Sequence, residues 1–405
     1  MNQWKSRKKI LFAVTGGIAA YKAPDILHGW IKAGCEVETI LTEAAEAFVS
    51  PLVLSTLSKR QVWRERDFFS AENGWKIPHI SLTDWADVMV VAPCTANVLR
   101  VCAEGDSSTL LGAALLANTK PLVLFPAMNS KMLAKQAKKK HTAAIKEMGH
   151  EVIDPDSGML ACGYEGKGRL PANEVIYEHV WKALSPKKDF LGLKLLVTAG
   201  PTHEYIDPVR YISNPSTGKM GYALAKAAWY RGAEVTLVSG PCSVFAPPGV
   251  EIINVTTAAQ MYDACVNNAS DADVIIKSAA VGDFRVENEA EQKIKRKKGE
   301  PLELKLVQNR DIAAELGKVK KSGQTLVGFA AETEDLINNA QKKMESKNLD
   351  LIAVNNVLAA GSGFAADTNT ITIISRSGEK YEYSGSKDDA ADILLDEIIQ
   401  KRQEH

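Results

Sequence analysis

The chain has 405 residues, 45% apolar and 24% charged, and its 49 basic and 49 acidic side chains cancel to a formal net charge of zero. Such a length suits two domains, and the apolar fraction supports real cores and excludes a disordered protein. Balanced charge leaves no electrostatic footprint for nucleic acid, no run approaches the roughly 20 apolar residues that span a bilayer, and six scattered cysteines without a C-x-x-C pair form neither a disulfide framework nor a zinc site.

Lys5, Arg7, Lys8 and Lys9 precede the apolar run from Ile10 to Val14. That run is only strand-length and no small-residue cleavage signal follows, so a secretory leader is not expected and a reducing cytoplasm is. KKILFAV (8–14) reads as a buried parallel strand. Residues 20–33 read as a helix closed by Gly34. Strands are expected at 36–42, 87–93 and 120–128, with a short one at 151–155. The stretch 156–169, DSGMLACGYEGKGR, has four glycines and no period, and reads as a mobile loop or flap. A helix at 173–184 and a linker at 185–189 follow.

The pattern restarts with a strand at 193–200, a helix from about Tyr222 to Arg231 and strands at 234–240, 272–282, 325–332 and 350–357. TNTITIISRSG and EKYEYSG alternate as an antiparallel hairpin would, and DDAADILLDEIIQKR closes as an amphipathic helix. Repeated βα units imply parallel sheets with helices on both faces. The fold class is α/β: two doubly wound, Rossmann-like domains, at 1–188 and 189–405.

The chemistry-bearing segments fall at strand ends. Thr15-Gly16-Gly17-Ile18-Ala19-Ala20 lets backbone N–H groups approach a phosphate at a helix start, although a tight packing turn has the same composition. It is not G-x-G-x-x-G, so a dinucleotide site is disfavoured. Ala92-Pro93-Cys94-Thr95-Ala96-Asn97 ends a strand where open sheets bind ligands, and Thr95 or Asn97 also suits a helix cap. His79 lies in HISLTDWAD, where a lone histidine is more often structural. Asn129, in PAMNSKM, sits at a strand-to-helix junction with amide donors suited to a carboxylate, or as a cap.

Together TGGIAAYK, HISLTDWAD, APCTAN, PAMNSKM and GMLACG resemble the flavin-dependent cysteine decarboxylase family, the group that contains phosphopantothenoylcysteine decarboxylase, over nearly all of 8–184. The resemblance implies FMN held at Gly17 and Ile18, with Thr42, Thr95 and Asn97 around it. It implies His79 as the essential histidine, Asn129 as the ligand of the departing carboxylate and Cys162, on the flap, as proton donor. Cys94 stands where the family usually has Ala, which bears on flavin packing. The chemistry accounts for these types: loss of carbon dioxide from the cysteinyl end leaves an unstabilised carbanion unless the thiol is first oxidised to a thioaldehyde by hydride transfer to FMN. The enethiolate is then reduced and protonated under a closed flap.

In the second half, Asp207 to Gly221 is a long polar excursion ending in S-T-G-K-M-G at a helix start, a weak echo of a P-loop without its spacing. Asp283, in SAAVGDFR, is a candidate Mg²⁺ ligand or a cap, and Lys293 begins the cationic run 293–298. With NRDI, GFAAET and KNLDLIAVN these segments resemble phosphopantothenate–cysteine ligase over 190–400, although Gly282-Asp283-Phe284 replaces the frequent Ala-Asp-Tyr. The resemblance implies Asn214 at an acyl-cytidylate, Asp283 with nucleotide and metal, and Lys293 on phosphate. Lys277, Ser278, Ala279, Arg310, Asp311, Ile312, Ala313, Phe329, Lys343 and Lys347 would surround the nucleotide, with CTP as cosubstrate.

The expected function is therefore bifunctional. Cysteine is joined to 4′-phosphopantothenate through an acyl-cytidylate, releasing pyrophosphate and CMP, and the product is decarboxylated to 4′-phosphopantetheine. Cofactors are FMN and Mg²⁺, the partners are small molecules, and neither nucleic acid nor membrane is involved. The resemblance implies trimeric decarboxylase and dimeric ligase domains that together build a dodecamer, with His79 able to serve a neighbour's site. A non-catalytic regulatory flavoprotein would require loss of His79, Asn129 or Cys162, all present, and a nicotinamide oxidoreductase would require the absent glycine fingerprint.

Overall fold

The computed structural model describes residues 3–296, 301–332, 336–356 and 368–404, which separate into two compact units, Gln3–Pro186 and the described part of Lys187–His405. In the first unit, β1 (Lys9–Val14), β2 (Glu36–Leu41), β3 (Val62–Arg64), β4 (Val88–Cys94), β5 (Leu122–Pro126) and β6 (Glu151–Val152) form one sheet in the order 3-2-1-4-5-6. Every pairing in it is parallel. Ile10 to Val14 are fully buried, which is why β1 reads as an unbroken apolar run. Strand order reverses between β1 and β4, so a crevice opens at their carboxyl ends.

The helix Ala23–Lys32 buries Ala23, Ile26, Leu27 and Trp30, the i, i+3, i+4, i+7 stripe of one face. It is entered through a 3₁₀ turn, Ile18–Lys22, rather than at residue 20, and Gly34 takes a left-handed φ of +83° just beyond it. The stretch expected as an aperiodic loop is an ordered hairpin, β7 (Asp156–Met159) against β8 (Glu165–Arg169). A backbone ladder needs no side-chain alternation, and glycine supplies the φ of +155° at Gly168. A Cβ there would lie 2.1 Å from the Met128 carbonyl, so the flap's base lies directly on the PAMN segment.

The second unit carries β9 (Lys194–Ala199), β10 (Glu204–Asp207), β11 (Arg210–Ile212), β12 (Glu234–Ser239), β13 (Val250–Asn254), β14 (Val274–Lys277), β15 (Phe284–Val286), β16 (Leu306–Gln308), β17 (Thr325–Glu332), β18 (Leu351–Asn356), β19 (Thr368–Ser375) and β20 (Lys380–Ser386). Its main sheet has the order 13-12-9-14-17-18-19-20. It is parallel as far as β18 and antiparallel at the expected hairpin. Leu196, Val238, Ile275, Leu326 and Ile352 share its core. Arg231, 2% exposed, fastens the start of the unit to its last helix, Lys387–Gln403, through Asp189 at 2.6 Å and Asp396 at 2.8 Å.

The strand expected over 272–282 stops at Lys277. Beyond it the regular ladder gives way, and residues 278–282 stay beside the continuation of β9, where Thr198, Gly200 and Thr202 capture their polar groups. Ser278 Oγ donates to Thr198 O at 2.6 Å, Ala280 N to Gly200 O at 2.9 Å and Gly282 N to Thr202 Oγ1 at 2.9 Å. The helix at the end of the polar excursion starts three residues earlier than expected, at Lys219, behind Gly218 at φ +77°.

Candidate active sites

At the crevice of the first unit lies a cavity of about 1000 Å³. Gly17, Ile18, Thr42, Thr95, Asn97, Asn129 and Cys162 all line it, so seven of the eight residues singled out for this half converge. The walls follow from local structure. Thr15 Oγ1 donates to Pro93 O at 2.7 Å and accepts from Thr95 N at 3.2 Å, which locks the ends of β1 and β4 together. Thr95 also caps the helix Ala96–Glu104 by accepting from Val98 N, so the capping and site readings of that residue both hold. A Cβ at Gly16 would lie 2.4 Å from Ala44 Cβ, whereas one at Gly17 meets only Thr95 Cγ2 at 4.0 Å. Gly16 therefore serves packing and Gly17 faces open space. Ile18 is 59% exposed, an apolar side chain left at the cavity edge.

Opposite stands the flap. Asn129 Oδ1 accepts from Lys131 N at 2.9 Å, the cap of Ser130–Leu133, which fixes the direction of its amide. Its Nδ2 donates to Cys162 Sγ at 3.2 Å and to Tyr164 Oη at 2.5 Å. The chain thus brings the predicted carboxylate ligand and the predicted proton donor into contact. Lys22 and Arg169 also line the cavity and were not anticipated. Burial, with Arg169 adding, holds the Lys22 ammonium below its usual pKa.

His79 and Cys94 stand apart from this wall. Cys94 is fully buried in the sheet core, where burial pushes its thiol well up, and it does not line the cavity. The expectation that it bears on flavin packing is corrected: along β4 its side chain takes the core face. His79 is absent from the lining as well. It sits near the start of the helix Pro78–Trp85, edge-on to Phe68, with its Nδ1 buried and unpartnered. Ile77, just before that helix, takes a left-handed φ of +49°, a costly conformation for a β-branched residue.

The second unit has a cavity of about 680 Å³ along the carboxyl ends of its parallel strands. Asn214, Lys277, Ser278, Ala279, Asp283, Arg310, Asp311, Ile312, Ala313, Phe329, Lys343 and Lys347 all line it. Lys293 does not, and the last two lysines of its cationic run lie outside the described residues. Asn214 Nδ2 donates to Ala280 O at 3.3 Å and Val281 O at 3.1 Å, tying the polar excursion to the segment after β14. Lys347 pairs with Asp311 at 3.0 Å. Burial alone would raise Asp311, but the Ala314 N–H and Lys347 hold the carboxyl below its usual range. Burial lowers the Lys277 ammonium against the opposing pull of Cys265 and Asp311. Sequence reasoning missed Asn355, Asn369 and Lys387 in this lining; the amide oxygens of both asparagines are buried without partners. Asn355 carried a signal, a polar residue near the carboxyl end of an apolar parallel strand.

Comparison with known proteins places these two sites in context. Residues 1–185 match the Flavoprotein family, and residues 190–401 match the DNA/pantothenate metabolism flavoprotein C-terminal domain. The coenzyme A biosynthesis bifunctional protein CoaBC of Bacillus subtilis strain 168 is 44% identical over 397 residues, 97% of each chain. The CoaBC proteins of Haemophilus influenzae and Escherichia coli K12 are 40% and 39% identical, each over 98% of both chains. A crystal structure of the C-terminal domain of a CoaBC protein, 35% identical, covers 54% of this chain and all of that one, with a TM-score of 0.46.

Proposed function

This chain belongs to the bifunctional proteins of coenzyme A biosynthesis, and on that footing we propose how its residues divide the two steps. The enzyme joins cysteine to 4′-phosphopantothenate and decarboxylates phosphopantothenoylcysteine to 4′-phosphopantetheine. We assign the decarboxylation to 1–188 and the ligation to 189–405.

In the first cavity the residues suit FMN. Gly17 offers space where a side chain would intrude, the first turn beyond it presents backbone donors to a phosphate, and Ile18 offers an apolar edge to a ring. FMN, when bound, takes up and returns the electrons that make decarboxylation of the thiol possible. Thr42, Thr95 and Asn97 shape its surroundings. Asn129 holds the departing carboxylate through Nδ2, and Cys162 Sγ gives up the final proton beneath the flap. The observation that carries this reading is the 3.2 Å contact between Asn129 Nδ2 and Cys162 Sγ, two groups 33 residues apart that meet on one wall.

His79 acts in this reading from a neighbouring copy. Its helix is flanked by exposed Phe69, Trp75, Ile77 and Ile80, an apolar surface suited to a second subunit. We take the decarboxylase units to be trimers and the ligase units dimers, giving a dodecamer.

In the second cavity the nucleotide is CTP. Lys277, Lys343, Lys347 and Arg310 face its phosphates. Among the described residues no cluster of three His, Cys, Asp or Glu side chains could hold a metal by itself. Asp283 with phosphate oxygens is the donor set that Mg²⁺ commonly takes. Ser278, Ala279, Phe329 and the stretch Asp311 to Ala313 enclose the nucleoside, and Asn214 steadies the acyl-cytidylate that the cysteine amine attacks. Lys293, outside the lining, closes on the phosphates once nucleotide is bound.

Purified protein incubated with phosphopantothenate, cysteine, Mg²⁺ and either CTP or ATP, with products identified by mass, tests this directly. Phosphopantetheine should form with CTP, CMP should accumulate, and the protein should carry FMN. Colourless folded protein, or turnover confined to ATP, would overturn the respective assignment.

A further inference from the structure

We propose that Tyr164 is a positioning residue of the decarboxylase, a latch that holds the flap over the site through Asn129. The proposal rests on the reading of Asn129 and Cys162 given above. Asn129 has one amide orientation available, because Oδ1 is committed to Lys131 N at 2.9 Å. Both Nδ2 hydrogens therefore point at the flap, one toward Cys162 Sγ at 3.2 Å and the other toward Tyr164 Oη at 2.5 Å. The two acceptors flank Gly163, whose φ of +87° turns the flap tip so that both side chains reach one donor group. A second tether lies at its base, where Met128 N donates to Gly168 O at 3.1 Å. Asn129 and Met128 are adjacent, so tip and base of the hairpin are both fastened to the PAMN segment.

A substrate carboxylate must take over the Nδ2 donors that Cys162 and Tyr164 occupy in the free chain. A thiol that is displaced makes at best a weak hydrogen bond, but a phenol can reverse its role. Tyr164 Oη accepts from Asn129 when the site is empty and donates to the carboxylate when it is filled. The flap then remains fastened, through the substrate in place of Asn129. Once carbon dioxide has left, that bridge is gone and the contact with Asn129 is the one that keeps Cys162 over the remaining enethiol until it is reduced and protonated. Tyr164 thereby affects the fate of the intermediate more than the rate at which it forms.

Tyr164→Phe removes only the hydroxyl and keeps the ring. Measurements on the full-length holoenzyme test the latch. Amide hydrogen exchange over 157–168 should quicken by about fivefold, the factor for losing one net hydrogen bond. The ratio of oxidised, decarboxylated enethiol to finished phosphopantetheine thiol, separated by two mass units, should rise several-fold while consumption of phosphopantothenoylcysteine falls less. The flavin absorbance retained by the variant should be unchanged, which excludes unfolding of the decarboxylase unit, and ligation of cysteine by the other unit should be unchanged as well. Unaltered exchange, or an unaltered product ratio, would overturn the latch, provided that Cys162→Ser still blocks the final thiol. If Cys162→Ser makes normal product, the underlying reading of the flap fails instead.

Discussion

The two cavities occupy equivalent places in two similar sheets, yet their walls differ in kind. The first is bounded mainly by small and apolar groups, Gly17, Ile18, Met128, Met132 and Leu160, with charged Lys22, Glu43, Glu65 and Arg169 among them and a neutral amide and a thiol meeting on one wall. The second presents six cationic side chains, Lys219, Lys277, Arg310, Lys343, Lys347 and Lys387, against Asp283 and Asp311. A planar ring needs surface and exclusion of water, whereas a triphosphate needs charge fixed in advance. The strand-end geometry of a doubly wound sheet serves both, and the chemistry lies in which side chains are placed there.

The sharpest way to break this comparison is to disable each cavity in turn. Cys162→Ser should reduce formation of the final thiol by about 10² to 10⁴, the usual worth of a positioned proton donor, with the oxidised, decarboxylated species accumulating and ligation unaffected. Mass analysis of both products decides it; a parallel loss of ligation would mean that the two sites are not separate. A smaller effect is expected at the other cavity. Asn214→Asp loses the donors to Ala280 and Val281 and places a carboxylate beside an anionic intermediate. Ligation should fall by about 10² to 10³, as for loss of one preorganised donor, while supplied phosphopantothenoylcysteine is still decarboxylated. Equal falls in both activities would refute the division between 1–188 and 189–405.

Much of this was legible in the sequence because it rests on local patterns. Buried parallel strands write themselves as apolar runs, so β1, β4 and β17 were found close to their observed limits. Polar residues just past those runs then marked the cavity walls. What escaped had no such signature. β3 is three residues including Trp63 and Arg64, too short for a period to develop. The pairs β10–β11 and β15–β16 join partners such as Glu204 with Ile212 and Phe284 with Gln308, a pairing that composition does not reveal. Asn369 and Lys387 reach the second cavity from β19 and from the start of the last helix, elements joined to the parallel array only by antiparallel pairing and packing. Cys94 shows the reverse error: a residue inside a correctly identified motif can face the core, because the register shift between Val91 and Cys94 interrupts the alternation of β4 and leaves Cys94 packed with Met89 and Val91.

The finest test of the contrast concerns protons. Lys277 is a cation that burial disfavours, with Cys265, Asp311 and Lys347 as its titratable neighbours. The Cys265 thiol is pushed by burial up to about 11, so it stays neutral below that, and Asp311 is held ionised beside Lys347. A triphosphate arriving at this wall stabilises the ammonium and raises the pKa of Lys277 back toward its ordinary value. Between the lowered and the restored value, binding must therefore take up protons, and the uptake must grow as pH rises into that window. Calorimetry of Mg²⁺–CTP binding in buffers of different ionisation enthalpy reads it directly, at pH well above the phosphate's own second pKa of about 6. An uptake of less than one proton is expected, absent in Lys277→Met. Cys162 lies in the other unit, so Cys162→Ser should leave this uptake untouched. If wild type takes up no protons, or the Met variant takes up as many, Lys277 does not face the phosphates.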